Sequence, residues 1–232
     1  MKNSHLGALF ALQKAAGFAL RHLVSLKIFA NLCDSSKTNS MSAYLNPELL
    51  LHAYAQGVFP MAMEKNEIGW FSPDPRGVLP IHEFHVPHGL ARRLKNHPFE
   101  IRINTAFEQV MKGCAKRKET WINREILSAY CTLHSLGFAH SVETWNGEKL
   151  VGGLYGVALG GVFFGESMFH TETDASKIAL HALAVRLGER GFGLLDTQWV
   201  TPHLATFGGI SIPRAEYLRL LSENVHKDCS FL

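Results

Sequence analysis

Residues 139–204, AHSVETWNGEKLVGGLYGVALGGVFFGESMFHTETDASKIALHALAVRLGERGFGLLDTQWVTPHL, leave this chain few folds to choose from. His140–Trp145 and Lys149–Val157 are runs of β-branched and aromatic residues joined at Asn146-Gly147, a pair that tolerates positive φ and predicts a tight hairpin. Gly160-Gly161 turns the chain into a third strand, Val162–Phe169. After a polar loop, Ile178, Leu180, Leu183, Val185 and Leu187 make a helical stripe closed by Gly191 and Gly193. The chain re-enters the sheet at Gly193–Gln198. Strand–helix–strand crossovers are right-handed in nearly all folds, so this strand is expected parallel to Val162–Phe169.

Polar residues sit where such a sheet should be dry. Glu166 interrupts VFFGESMF, and Asp196 and Gln198 end LLDTQ two apart, which puts them on one face of a strand. A buried carboxylate without a partner costs several kcal/mol, so each is satisfied by a local donor or kept for a substrate. One alone reads as structure; three in adjoining strands read as a site.

A chain of 232 residues, 47% of them hydrophobic, has ample material for a packed core. Cys33, Cys114, Cys131 and Cys229 share no paired spacing, which suits free thiols in a reducing cytoplasm rather than disulfides or zinc. Residues 1–40 carry Lys2, Lys14, Arg21, Lys27 and Lys37 against Asp34, so the tail is +4 in a +3 chain. Its apolar run is too broken by cations for a membrane span, and a disordered or loosely helical extension is expected. A basic amphipathic helix on a membrane surface or a targeting peptide would also fit.

From Asn46, the order Asn-Pro-Glu predicts a capped helix through Gln56 with Leu49, Leu50, Ala53 and Tyr54 buried. The proline- and glycine-punctuated segment after it suggests a small N-terminal domain, 41–74, before a larger one, 75–232. Thr105 and Glu108 read as a capping box for a helix ending near Gly113. Thr201-Pro202 and Pro213 each open a further helix, the last through Leu221.

Arg92, Arg93, Lys95, Arg102, Lys112, Lys116, Arg117, Lys118 and Arg124 face only Glu100, Glu108 and Glu119. Such a stretch is a solvated face or a nucleic-acid surface. Its loop AKRKET stands beside Trp121, and cations for phosphates next to an indole for a base is how unpaired nucleotide ends are held. His82, His85 and His88 recur every third residue, but Pro87 breaks a helix there and no acid or cysteine completes a set, so no metal is expected.

The blocks YAQGVFP, WFSPDPRGVLP, TWINREI, LVGGLYGVALG, FFGESMF, DASKIAL and LLDTQWVTPHL resemble those of the leucyl/phenylalanyl-tRNA–protein transferase family, in its order, over about residues 42–221. The resemblance implies an α+β, GNAT-like acyltransferase domain. It implies transfer of Leu or Phe, less so Met, from tRNA to proteins with N-terminal Arg or Lys, marking them for degradation. It needs no cofactor, and a cytoplasmic monomer with no DNA or membrane partner is expected. Asp196 and Gln198 match the family's catalytic pair, and Glu166 would bind the peptide N-terminus. Trp121 matches the residue that stacks on the terminal adenosine. Met61 stands where the family often has Trp and would touch the same end. Arg76, Lys116, Arg117, Lys118 and Arg124 would lie on the tRNA backbone. Leu154, Met168, Leu180, Leu183 and Leu187, unbranched at Cβ, would line the aminoacyl pocket. Because the resemblance begins after Met41, a start codon placed too far upstream best accounts for the tail.

Two other readings compete. A GNAT enzyme using acetyl-coenzyme A needs glycines and amides at the strand-to-helix turn, where this chain has His-Thr-Glu-Thr-Asp-Ala and two acids that repel a pyrophosphate. A non-catalytic RNA-binding module explains Trp121 and the cations but leaves Glu166, Asp196 and Gln198 without a purpose.

Overall fold

The computed structural model describes residues 45–64, 67–96 and 99–232, and Leu45–Leu232 form one compact unit. The expectations placed on residues 1–40 and on Cys33 lie outside the described residues. Helix α1 is Pro47–Ala55, entered as its sequence requires: Leu49 N–H donates to the Asn46 side chain at 2.8 Å, and Pro47 and Glu48 fill the first turn. Its buried residues are Leu50, Ala53 and Tyr54. Strands β1 (Phe59–Ala62) and β2 (Ile68–Phe71) form a separate antiparallel pair. Then come β3 (Arg76–Val78), α2 (His88–Asn96), β4 (Glu100–Ile103), α3 (Phe107–Ala115) and α4 (Arg124–Ser135).

The long meander follows: β5 (Ala139–Asn146), β6 (Lys149–Leu159) and β7 (Val162–His170). The first hairpin turns one residue later than expected. Asn146 pairs with Lys149, so Gly147-Glu148 are the loop, with Gly147 at φ 60°; glycine first in a two-residue loop is the pattern whose twist suits the strands. After β7 come α5 (Ala175–Glu189), β8 (Leu194–Gln198), α6 (Pro202–Ala205), β9 (Ile210–Ile212) and α7 (Arg214–Asn224). Thr201 caps α6 by accepting from Leu204 N–H, and α7 begins after Pro213 but runs past Leu221. Val185 departs from the expected stripe on α5: it points outward and is 47% exposed, while Ile178, Leu180, Leu183 and Leu187 are buried.

The main sheet has the order β4-β5-β6-β7-β8-β3-β9. All its neighbours are antiparallel except β7 and β8, which run parallel as the crossover through α5 demands. The architecture is therefore α+β, with helices against a mixed sheet. Adjacent strand residues point to opposite faces, and Phe164 and Phe163 accordingly enter two different cores. The Phe164 side holds Tyr54, Val110, Met111, Tyr130, Tyr155 and Tyr217; the Phe163 side holds Leu79, Leu154, Ile178, Leu183, Leu195 and Phe231. Thus α1, from the segment expected as a small N-terminal domain, shares a core with the sheet.

The capping box is a correction. Glu108 pairs with Lys112 at 2.7 Å, and α3 has no local side-chain cap. Its N-terminus is held by Glu143 of β5, which accepts from Ala106 N–H at 2.8 Å, Ser141 Oγ at 2.7 Å, Trp145 Nε1 at 3.1 Å and Thr105 Oγ1. A fully buried carboxylate with four donors and a helix end is satisfied without a cation. Cys114, Cys131 and Cys229 are free thiols, and burial pushes that of Cys114 up to about 12. No helix among the described residues is long and apolar enough to cross a membrane.

Candidate functional site

Strands β7 and β8 pair over only three residues, Val162–Phe164 against Leu194–Asp196, although β7 continues to His170. Where they part, a cavity of about 450 Å³ opens between them. Of the residues expected at the site, it is lined by Met61, Arg117, Trp121, Leu154, Glu166, Met168, Leu180, Leu183 and Gln198. Leu154, Leu180, Leu183 and Leu195 give it an apolar wall that belongs to the α5-side core. Leu187 is not on that wall; it is fully buried in the core.

Glu166 lies at the polar end of the cavity. Its Oε1 accepts from Tyr54 Oη at 2.6 Å and from Gln198 Nε2 at 3.3 Å, and its Oε2 from Tyr130 Oη at 3.4 Å. The two tyrosine hydroxyls also lie in hydrogen-bonding contact with each other; these three contacts share two hydroxyl protons, so the proton on the Glu166 carboxyl supplies the third. Burial pushes the Glu166 carboxyl up to about 8 against the pull of these donors, with the nearby Asp196 charge adding to the rise. The folded protein therefore holds a proton here that an unfolded carboxyl, near 4.5, releases. Unfolding stability should fall as pH rises from about 5 to 8 and this contribution should level off above that. Glu166→Gln should flatten that slope, as urea denaturation at several pH values would read; an unchanged slope would mean that Glu166 is ionised throughout.

Asp196 departs from its expected place at the reacting amine. Its carboxylate is fully buried and accepts from Arg76 Nε (2.9 Å) and Nη2 (2.5 Å), Tyr217 Oη (2.9 Å) and the Gln198 backbone N–H (2.9 Å). Four donors leave no lone pair for a substrate, and the carboxylate does not line the cavity. It holds the backbone of Gln198, which lies at φ 58°, a left-handed conformation that costs a non-glycine residue of order 1 kcal/mol and persists only when its surroundings enforce it. Arg76 is likewise not on the surface. It is fully buried, donates also to Gly57 O at 2.9 Å and Tyr217 Oη at 3.2 Å, and packs against the Phe59 and Tyr217 rings, so no tRNA phosphate can reach it.

In the basic loop Lys116, Arg117 and Lys118 are all exposed, and Arg117 is in addition tied to the cavity wall through Ser167 Oγ (2.8 Å) and Met168 O (2.5 Å). Arg124 is exposed at the start of α4, whose cap is Asn123. Trp121 is half-buried, and its carbonyl accepts from Ala62 N–H at 3.1 Å, which places it beside Met61. The cavity also includes Phe59, Ser167, Trp199, His203 and Leu204, which sequence reasoning missed. The partners Tyr54, Tyr130 and Tyr217 carried no signal of their own, since an aromatic on a helix reads as core. Trp199 did carry one, an unsheltered indole directly after Gln198.

The family described as leucyl/phenylalanyl-tRNA protein transferase matches residues 78–222, and its N-terminal domain matches residues 44–74. A protein of Herpetosiphon aurantiacus named leucyl/phenylalanyl-tRNA–protein transferase is 52% identical over 192 residues, 82% of this chain and 100% of that one. One of the same name from Akkermansia muciniphila is 55% identical over 186 residues, 78% of this chain and 96% of that one. Among solved structures, that of L-PGS from Bacillus licheniformis overlaps 78% of this chain and 71% of its own at 9% identity and a TM-score of 0.42, too remote to bear on fold or function.

Proposed function

Because the chain belongs to the leucyl/phenylalanyl-tRNA–protein transferase family, we propose that the cavity between β7 and β8 holds the leucyl or phenylalanyl end of a charged tRNA while a protein's N-terminal amine attacks the ester beside Gln198. The observation that carries this is the setting of Gln198. Its Nε2 is engaged by Glu166 and its backbone N–H by Asp196, which leaves the side-chain oxygen to accept from an amine at the mouth of an apolar cavity.

Aminolysis needs the amine neutral, oriented and close more than it needs a covalent enzyme intermediate. The amine nitrogen attacks the ester carbonyl carbon, the bond to the ribose oxygen breaks, and the proton lost from nitrogen ends on that departing oxygen. Gln198 orients the amine through its carbonyl oxygen and supports the positive charge that develops on nitrogen. Asp196 acts through Gln198 by holding its backbone, and Glu166 by holding its amide. Held by Tyr54, Tyr130 and Gln198 and carrying a proton at neutral pH, Glu166 serves the acceptor through Gln198 instead of clasping a basic side chain.

The strand order β5-β6-β7-α5-β8 with its splayed parallel pair supports a GNAT-like reading of the domain. The coenzyme alternative is disfavoured at the N-terminus of α5, where Asp174 and Glu172 stand in place of a glycine cradle. The donor nucleoside fits the rim formed by Trp121 and Met61, and the acceptor is a protein with N-terminal Arg or Lys. The test is transfer of labelled Leu from its tRNA to a peptide beginning with Arg. Trp121→Ala should weaken binding of both Leu-tRNA and a short aminoacyl-adenosine by about 10-fold, since stacking gives ~1–3 kcal/mol per base. Lys116→Ala with Lys118→Ala should weaken only the tRNA and make its salt dependence shallower. An unchanged salt slope would take this loop off the RNA.

A further inference from the structure

We propose that Trp199 is the surface on which the acceptor's basic N-terminal side chain rests, its indole face receiving the cation while Gln198 receives the amine. This rests on the reading above and names what selects the acceptor. The ring lines the cavity, yet 46% of the residue is exposed, unusual for an indole beside a well-packed core.

Its position is built rather than incidental. The left-handed turn at Gln198 redirects the chain, and Trp199 N–H donates to Thr197 O at 2.6 Å. Gly77 of β3 packs against it so closely that a Cβ there would stand 2.5 Å from the Trp199 carbonyl carbon; only glycine lets the two backbones meet. The Phe59 and Trp199 rings stand at right angles with centroids 5.4 Å apart, which restrains the indole plane while nearly half of the residue stays exposed.

The cavity thus has two aromatic rims. Trp121, joined to β1 beside Met61, suits the donor nucleoside. Trp199 directly follows the residue that takes the amine and lines the same cavity, which puts its indole within reach of the side chain of the residue delivering that amine. A guanidinium or ammonium over an indole face is attracted by the ring's quadrupole, a selection that no free carboxylate in the cavity supplies here.

Transfer from Leu-tRNA should be measured to three peptides that differ only in a first residue of Arg, Lys or citrulline, the neutral isostere of Arg. Trp199→Phe keeps a ring and should retain most activity. Trp199→Leu keeps apolar bulk without a π face and should lower kcat/KM for the Arg and Lys peptides by roughly 5- to 30-fold, through the peptide KM. The citrulline peptide should be poor with the native protein and little affected by Trp199→Leu. The KM for Leu-tRNA should stay constant. Equal losses for Arg and citrulline peptides, no loss at all, or a rise in the Leu-tRNA KM would each overturn the proposal, the last by assigning the ring to the nucleic acid. Failure of the native protein to transfer Leu to any peptide would instead overturn the underlying reading.

Discussion

Gln198→Ala should slow transfer by about 10²- to 10³-fold while leaving the Leu-tRNA KM and the folded structure close to native, because positioned hydrogen-bonding groups at a reacting centre contribute on that scale. Alanine carries a Cβ as glutamine does, so the left-handed backbone at φ 58° is no more strained in the variant. The Asp196 bond to the backbone N–H survives the change. Glu166 loses one donor at 3.3 Å but keeps Tyr54 at 2.6 Å on the same oxygen. Single-turnover rates with saturating donor isolate the chemical step. A variant that turned over within threefold of the native protein would mean the amine is oriented by another group.

Much of the path to this residue was legible from the chain. The order from β5 to β8, the parallel return strand and the caps at Asn46 and Thr201 follow from local chemistry: turn glycines, alternating apolar residues and side-chain oxygens ahead of proline. Glu166 and Gln198 could be picked out because polar residues in a dry sheet require a reason. The same rule does not separate them from Glu143, an equally buried carboxylate in a neighbouring strand that holds a helix end and does not line the cavity.

What sequence could not show was which partner each buried group would take. Arg76 lies 120 residues before Asp196 and reads as one more cation for RNA until the sheet brings β3 beside β8. Arg117 looks identical to Lys116 and Lys118, yet it alone turns back onto the wall of the cavity. Leu187 has the same spacing signal as Leu183, and only the point at which β7 leaves β8 decides which one meets the cavity. Long-range pairing sets these outcomes, and helical or strand periodicity has no access to it.

Arg76→Met should cost about 3–5 kcal/mol of stability, since it strands the Asp196 carboxylate, fully buried, without its cation. That is a large part of the 5–15 kcal/mol that holds a typical domain together, so the urea midpoint should fall sharply. Stability alone would not show what the pair is for. Replacing both members, Arg76→Met with Asp196→Leu, removes the stranded charge, and apolar residues of similar volume often restore what the single change loses. The double variant should therefore regain most of the lost stability but not the transfer rate, because the Gln198 backbone N–H then has no acceptor to hold it at φ 58° and its amide is no longer aimed. Rates normalised to folded protein make the comparison. If the double variant transferred Leu at the native rate, the Arg76–Asp196 pair would be a buried ion pair of the core and Gln198 would hold its position without it.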